Sequence, residues 1–217
     1  MKDNGEKDPE SIPRYLRFVT LQAIDPLCRM LKELESEHSK KWVCDSLAEL
    51  CREEIRPLTK FLSDPDPVLV CDILRILGKV KHPATAEHLG GLVNHADPKV
   101  REETLQVVAQ LGDKGRPLIK RLLVDPVADI RAKASFIFAK TGRDEALKPL
   151  MEIILSKDFY KRDYKEKFSF FGALRETGSK EAVLLLEKIA KKRRWFQRAK
   201  WDEMRLCASS ALKMMRS

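Results

Sequence analysis

The sequence predicts an all-α fold, specifically an α-solenoid of about six stacked helix-turn-helix units. Three observations carry this expectation. A Pro-Leu-x-x-apolar pattern recurs, with copies starting at 26, 57, 88, 117, 149 and 185. An apolar stripe at helical spacing follows each copy, and no alternation of the strand type competes with it.

The elements follow in order. Residues 1–11 are polar and acidic and are expected to form a disordered leader, followed by a helix over about 12–24. Each unit then opens on the recurring pattern. Pro26-Leu27 leads to Met30-Leu31, Pro57-Leu58 to Phe61-Leu62, Pro117-Leu118 to Arg121-Leu122, and Pro149-Leu150 to Ile153-Ile154. His88-Leu89 and Leu185-Leu186 keep the register without proline. A proline in an opening turn removes an N–H that has no intrahelical partner anyway.

A longer second helix follows each of these. Val43, Leu47 and Leu50 mark the first; Leu69, Ile73, Leu77 and Val80 the second; Val100, Thr104, Val108 and Leu111 the third. Ile130, Ala134, Phe138 and Thr141 continue the series, then Phe170, Leu174 and Thr177, then Met204, Ala208, Leu212 and Met215. Such spacing gives one apolar face per helix. Asp66-Pro67 and Asp97-Pro98 supply N-caps, and Gly112, Gly142 and Gly178 are placed to end helices in a left-handed cap. The units run approximately over 26–53, 54–81, 84–112, 114–142, 144–178 and 181–216, and residues 12–217 are read as a single domain. No unit is large enough to bury its own face, so the units must stack.

Asp97-Pro98-Lys99-Val100-Arg101 through Leu111-Gly112-Asp113 resembles the bacterial HEAT-repeat signature. Asp64-Pro65-Asp66-Pro67-Val68-Leu69 with Ile73-Leu74-Arg75-Ile76-Leu77-Gly78 is a second copy, and Asp129-Ile130-Arg131 through Thr141-Gly142 a third. The resemblance covers about 26–216 and is strongest in the middle three units. The next copy departs from the pattern: Glu166 stands where Val100 and Ile130 stand, and its turn is longer. The resemblance implies a non-catalytic scaffold that binds macromolecules along a curved surface. Some HEAT-like solenoids resemble DNA glycosylases or bilin lyases. Here Asp163 and Asp202, beside Tyr164 and Trp201, are the only neighbours suggestive of that chemistry.

Composition narrows the function classes. Hydrophobic residues make up 43% and charged residues 35%, enough for a packed core. No apolar run is long enough for a membrane helix, and no signal-peptide core follows the N-terminus. Five cysteines, Cys28, Cys44, Cys51, Cys71 and Cys207, lack C-x-x-C spacing and are read as small buried hydrophobes of a reducing, cytoplasmic compartment. The four histidines, His38, His82, His88 and His95, form no ligand cluster, although His88 and His95 would share a helix face. Gly90-Gly91 lies inside a helical pattern and is expected to allow close helix packing. No catalytic residue, metal site, cofactor or small-molecule substrate is indicated.

The charge is uneven. Residues 1–110 carry −3 and residues 111–217 carry +12, together the net +9. Two features stand out. Lys40, Val70, Arg101, Arg131, Lys167 and Arg205 share one register, five cations in six places. They either pair with acids at neighbouring helix starts, such as Asp97 or Asp129, and lock the repeats together, or form a basic concave stripe.

The second feature is a pair of turns that mix cations with aromatic rings. One carries Phe159, Tyr160, Lys161, Arg162 and Tyr164; the other carries Lys192, Arg193, Arg194, Trp195, Phe196, Arg198, Lys200 and Trp201. A shift of 37 residues superposes Phe159 on Phe196 and Tyr164 on Trp201. Equivalent turns of adjacent repeats are expected on one edge. Three roles fit: a protein-docking surface, a phosphate- and base-binding surface, or a hydrophobic cap on the last repeat. The leading expectation is a non-enzymatic scaffold that binds a protein through its concave surface and this C-terminal edge. The alternative is a nucleic-acid-binding solenoid.

Overall fold

The structure, a computed structural model, describes residues 21–193 and 198–216, and every regular element among them is helical. After a 3-10 turn at Leu21–Ala23, the α-helices are α1 (Ile24–Met30), α2 (Glu37–Leu50), α3 (Arg56–Thr59), α4 (Pro67–Val80), α5 (Thr85–His88) and α6 (Pro98–Val108). They continue with α7 (Arg116–Leu122), α8 (Ala128–Gly142), α9 (Asp144–Leu155), α10 (Tyr164–Glu176), α11 (Lys180–Lys191) and α12 (Arg198–Arg216). A short first helix alternates with a longer second one, as the recurring pattern requires. Residues 12–20 of the helix expected over 12–24, and the leader before it, lie outside the described residues.

The chain divides into two compact units, one up to Leu111 and one from Gly112. In the first, the second helices α2, α4 and α6 pack side by side. In the second, α8, α10 and α12 do the same, with α7, α9 and α11 as their first-helix partners. Each unit therefore stacks helix pairs as an α-solenoid does. The stripes form the cores: Leu69, Ile73 and Leu77 in one unit, Ile130, Ala134, Phe138, Phe170, Leu174, Met204 and Ala208 in the other, are all buried. Enclosing one large aliphatic or aromatic side chain contributes about 1.5–3 kcal/mol, so these rows dominate the packing.

Local signals set the helix starts. Asp66 accepts from the Val68 N–H at 2.9 Å, and Asp97 from the Lys99 N–H at 2.7 Å, each just ahead of a proline. Ser36, Asp163 and Ser179 cap α2, α10 and α11 in the same way. Gly112 (φ +56°) and Gly178 (φ +66°) take the left-handed backbone that favours glycine.

Several expectations need correction. Gly142 stays helical as the last residue of α8, and the positive φ falls on Arg143 (+38°), which alone separates α8 from α9. Pro149 lies inside α9 rather than in its opening turn. The first helix of the third unit is broken: α5 ends at His88, Gly90-Gly91 forms a turn, and a 3-10 turn follows at Leu92–Asn94. A Cβ on Gly90 or Gly91 would meet nothing within 4 Å, so neither serves close packing. His88 and His95 therefore share no helix. The His95 and His82 Nδ1 atoms instead accept the N–H groups of Asp97 and Ala84.

Candidate functional site

The two aromatic–basic turns meet. After α9, a 3-10 turn over Phe159–Lys161 presents its consecutive residues in different directions. Phe159 turns inward, fully enclosed, with its ring 5.4 Å from Phe170 and 6.1 Å from Phe171. Tyr160 turns the other way and stacks on Trp201 near the start of α12, with centroids 6.3 Å apart and planes 13° apart. The Lys192 ammonium lies 5.5 Å over the Trp201 ring, and the Lys161 ammonium 6.0 Å over Tyr160. Residues 41 positions apart in sequence thus share one surface.

The expected binding set is thereby reduced. Phe159 is core and cannot touch a partner. Arg162 is also structural: its guanidinium sits 5.2 Å and 5.3 Å from the Phe159 and Phe170 rings and donates to Glu166 at 2.6 Å. Tyr164 is exposed, but stacks on Phe168 rather than on Trp201. Lys161 pairs with Asp158 (2.7 Å), Arg198 with Asp202 (3.8 Å) and Lys200 with Glu203 (3.5 Å). Lys192 and Arg193 have no acidic partner among the described residues. Arg194, Trp195 and Phe196 lie outside the described residues. Asp163 caps α10 by accepting the Glu166 N–H at 2.7 Å, and Asp202 pairs with Arg205 at 3.0 Å. Neither stands as a free acid among aromatics.

Beside the Tyr160–Trp201 stack lies a groove of about 370 Å³ between α9, α11 and α12. Ile154, Leu185, Ile189 and Met204 line it from the core, Leu155 and Ser156 from the end of α9, and Lys157, Lys188 and Lys192 complete the lining. No acidic side chain is among its lining residues. Lys188, Leu155 and Leu185 were missed by sequence reasoning, whereas Lys157 opens the first aromatic–basic turn, 157–165. Leu185 enters the sequence reading only as a position of the recurring register.

The register of cations is engaged within the fold: Arg101 and Lys167 are buried, and Lys40, Arg131 and Arg205 are half-buried. Lys167 is fully enclosed and donates to Glu203 at 2.5 Å. Arg131 grips Glu166 with two bonds, Nε at 2.5 Å and Nη2 at 2.7 Å. Its Nη1 donates to the carbonyls of Asp125 and Pro126, as Arg101 Nη1 does to those of His95 and Ala96. Arg205 reaches the Ala190 carbonyl and Asp202. Lys40 lies 3.7 Å from Glu37. The acids engaged by Arg131 and Lys167 belong to the next second helix. Asp129 pairs with Lys165 instead, and Asp97 caps its own helix. This register therefore forms no basic stripe for a ligand. Glu166, in the place of Val100 and Ile130, is as buried as they are, its charge answered by Arg131 and Arg162.

Residues 24–108 match the family model for HEAT repeats. The HEAT match ends with α6, and the copy at Asp129-Ile130-Arg131 lies beyond it. Two crystal structures of engineered proteins from the Northeast Structural Genomics Consortium are similar over most of the chain. One is 15% identical with a TM-score of 0.46, over 97% of this chain and 61% of that one. The other is 16% identical with a TM-score of 0.40, over 87% of this chain and 97% of that one. The chain thus spans about three fifths of the first engineered protein's length. No curated protein matches the sequence.

Within the first unit, the exposed faces of α2, α4 and α6 line a polar cavity of about 770 Å³. Asp72 lies in its wall, almost fully buried: one carboxylate oxygen accepts from Arg75 at 2.9 Å, and Oδ2 has no hydrogen-bond partner. Burial pushes this carboxyl above its ordinary range despite Arg75 and Lys40. Arg75 bridges onward to Glu103 at 3.2 Å. All five cysteines are buried and free, and burial raises the Cys28 thiol to about 12 and the other four to about 11, so they are poor nucleophiles at neutral pH. Among the described residues no cluster of three His, Cys, Asp or Glu could hold a metal, and no helix is long and apolar enough to cross a membrane.

Proposed function

We propose that the protein is a non-enzymatic interaction module whose C-terminal edge, centred on Tyr160, Trp201, Lys192 and Arg193, docks a protein partner. HEAT repeats are commonly interaction scaffolds, and the observation that carries this reading is the Tyr160–Trp201 stack, which joins two distant turns into one half-exposed aromatic surface. Trp, Tyr and Arg are the residues in which docking energy concentrates. The charge pattern favours protein over nucleic acid. A duplex or strand binder needs many free cations to replace counterions, whereas Lys161, Arg162, Arg198 and Lys200 are already held by acids. The two rings are likewise engaged by each other and by lysine ammonium groups rather than standing alone as base platforms.

The test is affinity capture from the source cells with three baits: the unaltered chain, Trp201→Ala, and the pair Lys192→Glu with Arg193→Glu. A protein held by the first bait, resistant to nuclease and lost from the other two, supports the docking edge. Identical capture by all three baits overturns it, as does capture that nuclease abolishes.

A further inference from the structure

Beneath that edge, we infer, the groove between α9, α11 and α12 receives one large apolar side chain from an acidic peptide segment of the partner. This rests on the reading of the edge as a protein-docking surface and names the chemistry that the partner must carry. Two features point to that occupant.

The first is the apolar lining. Ile154, Leu185 and Met204 are themselves buried, yet they line an open depression, and Leu155 at its side is 61% exposed. Beside the depression, the exposed Leu155 extends the apolar area that a partner would cover. The volume of about 370 Å³ lies near the lower end of the roughly 300–1,000 Å³ typical of ligand pockets, suited to one bulky side chain and its flanks rather than to a folded element.

The second is charge. Lys157, Lys188 and Lys192 line the groove, no carboxylate does, and none of the three forms a salt bridge among the described residues, Asp158 next to Lys157 being paired with Lys161. In the same unit Lys161, Lys165 and Lys167 are each matched by an acid. Three ammonium groups outside any salt bridge, around an apolar depression, complement carboxylates flanking a single leucine, phenylalanine or tryptophan.

The experiment pans the full-length protein against a phage-displayed library of random peptides about twelve residues long, then measures the enriched peptide, fluorescein-labelled, by anisotropy. The inference expects peptides with Asp or Glu on both sides of one large apolar residue. Replacing that apolar residue by alanine in the peptide should weaken binding at least tenfold. So should the triple change Lys157→Glu, Lys188→Glu, Lys192→Glu, and separately Leu155→Asp. These positions are exposed, so thermal melts should stay in place. Affinity should also fall as salt rises, because rim charges are screened. Enriched peptides without acids, or binding indifferent to the lysines and to Leu155, overturn the inference. If such binding still depends on Trp201, the docking edge survives alone; if it ignores Trp201 as well, and cellular capture is unchanged, both fail. Vesicles containing phosphatidylserine serve as the competing probe, and binding to them with the same lysine dependence, in place of peptide binding, also overturns it.

Discussion

Lys167, enclosed on every side, holds its ammonium 2.5 Å from the carboxylate of Glu203, 36 residues later on the next second helix. The same logic joins Arg131 to Glu166, 35 residues on. A charge that cannot reach water must be matched by its neighbour, so each such pair fixes the register of one helix pair against the next.

Removing one partner should cost more than removing both. Glu203→Ala strands a buried ammonium and is expected to destabilise the chain by about 3–5 kcal/mol. The double change Lys167→Met with Glu203→Leu should recover most of that. Urea denaturation of the two variants and the unaltered chain checks the ordering. Equal losses in both variants would show that packing, not the stranded charge, is at stake.

Two carboxyls should tilt stability with pH in opposite senses. The hydrogen bond from Lys167 holds Glu203 below its usual value, so its contribution is full above the unfolded pKa of about 4.5 and is lost as pH falls through the folded value. Asp72 is raised by burial, so it disfavours the folded state increasingly as pH climbs past its unfolded value near 3.8. Asp72→Asn should therefore stabilise the protein at pH 7 relative to pH 3, and Glu203→Gln should do the reverse. Chemical denaturation at the two pH values measures both signs.

Much of this architecture is readable from residue spacing, because burial repeats with the helical period. Leu69, Ile73 and Leu77 face the core as spaced, and Asp66 and Asp97 cap where an acid precedes a proline. Depth is not readable in the same way. The cation register marks equivalent places, yet spacing does not say that Lys167 is sealed or that its counter-charge is Glu203. Nor does composition separate Phe159 from Tyr160. In a 3-10 turn, neighbours point apart, and only the packing of Phe170 and Phe171 decides which one is core. Lys157 and Lys188 join one groove through tertiary packing of α9 against α11 and α12, to which no local pattern corresponds.

The division between core and edge is itself measurable. Phe159→Ala, which empties a fully enclosed ring site, should cost about 3–5 kcal/mol. Trp201→Ala, at a half-exposed site, should cost distinctly less while abolishing partner capture. Paired thermal or urea melts establish the difference. A loss from Trp201→Ala as large as that from Phe159→Ala would assign the tryptophan to capping the last repeat.

Arg162 and Arg193 should diverge in the same way. Arg162→Ala removes the lid over Phe159 and Phe170 together with one of the cations on buried Glu166, so it should lower stability by about 2–3 kcal/mol. Arg193→Ala, at an exposed site without an acidic partner among the described residues, should leave the melting temperature within about a degree, since surface changes of this kind stay within about 0.5 kcal/mol. Differential scanning fluorimetry compares them directly.

Photocrosslinking in the source cells tests the central claim most directly. p-Benzoylphenylalanine is placed at Tyr160 in one strain and at exposed Lys120 on α7 in another. If the two aromatic–basic turns form the docking edge, irradiation joins the chain to one protein of defined mass from position 160 and leaves position 120 without that adduct. The same adducts from both positions, or none from position 160 under conditions in which position 120 reacts, would contradict it.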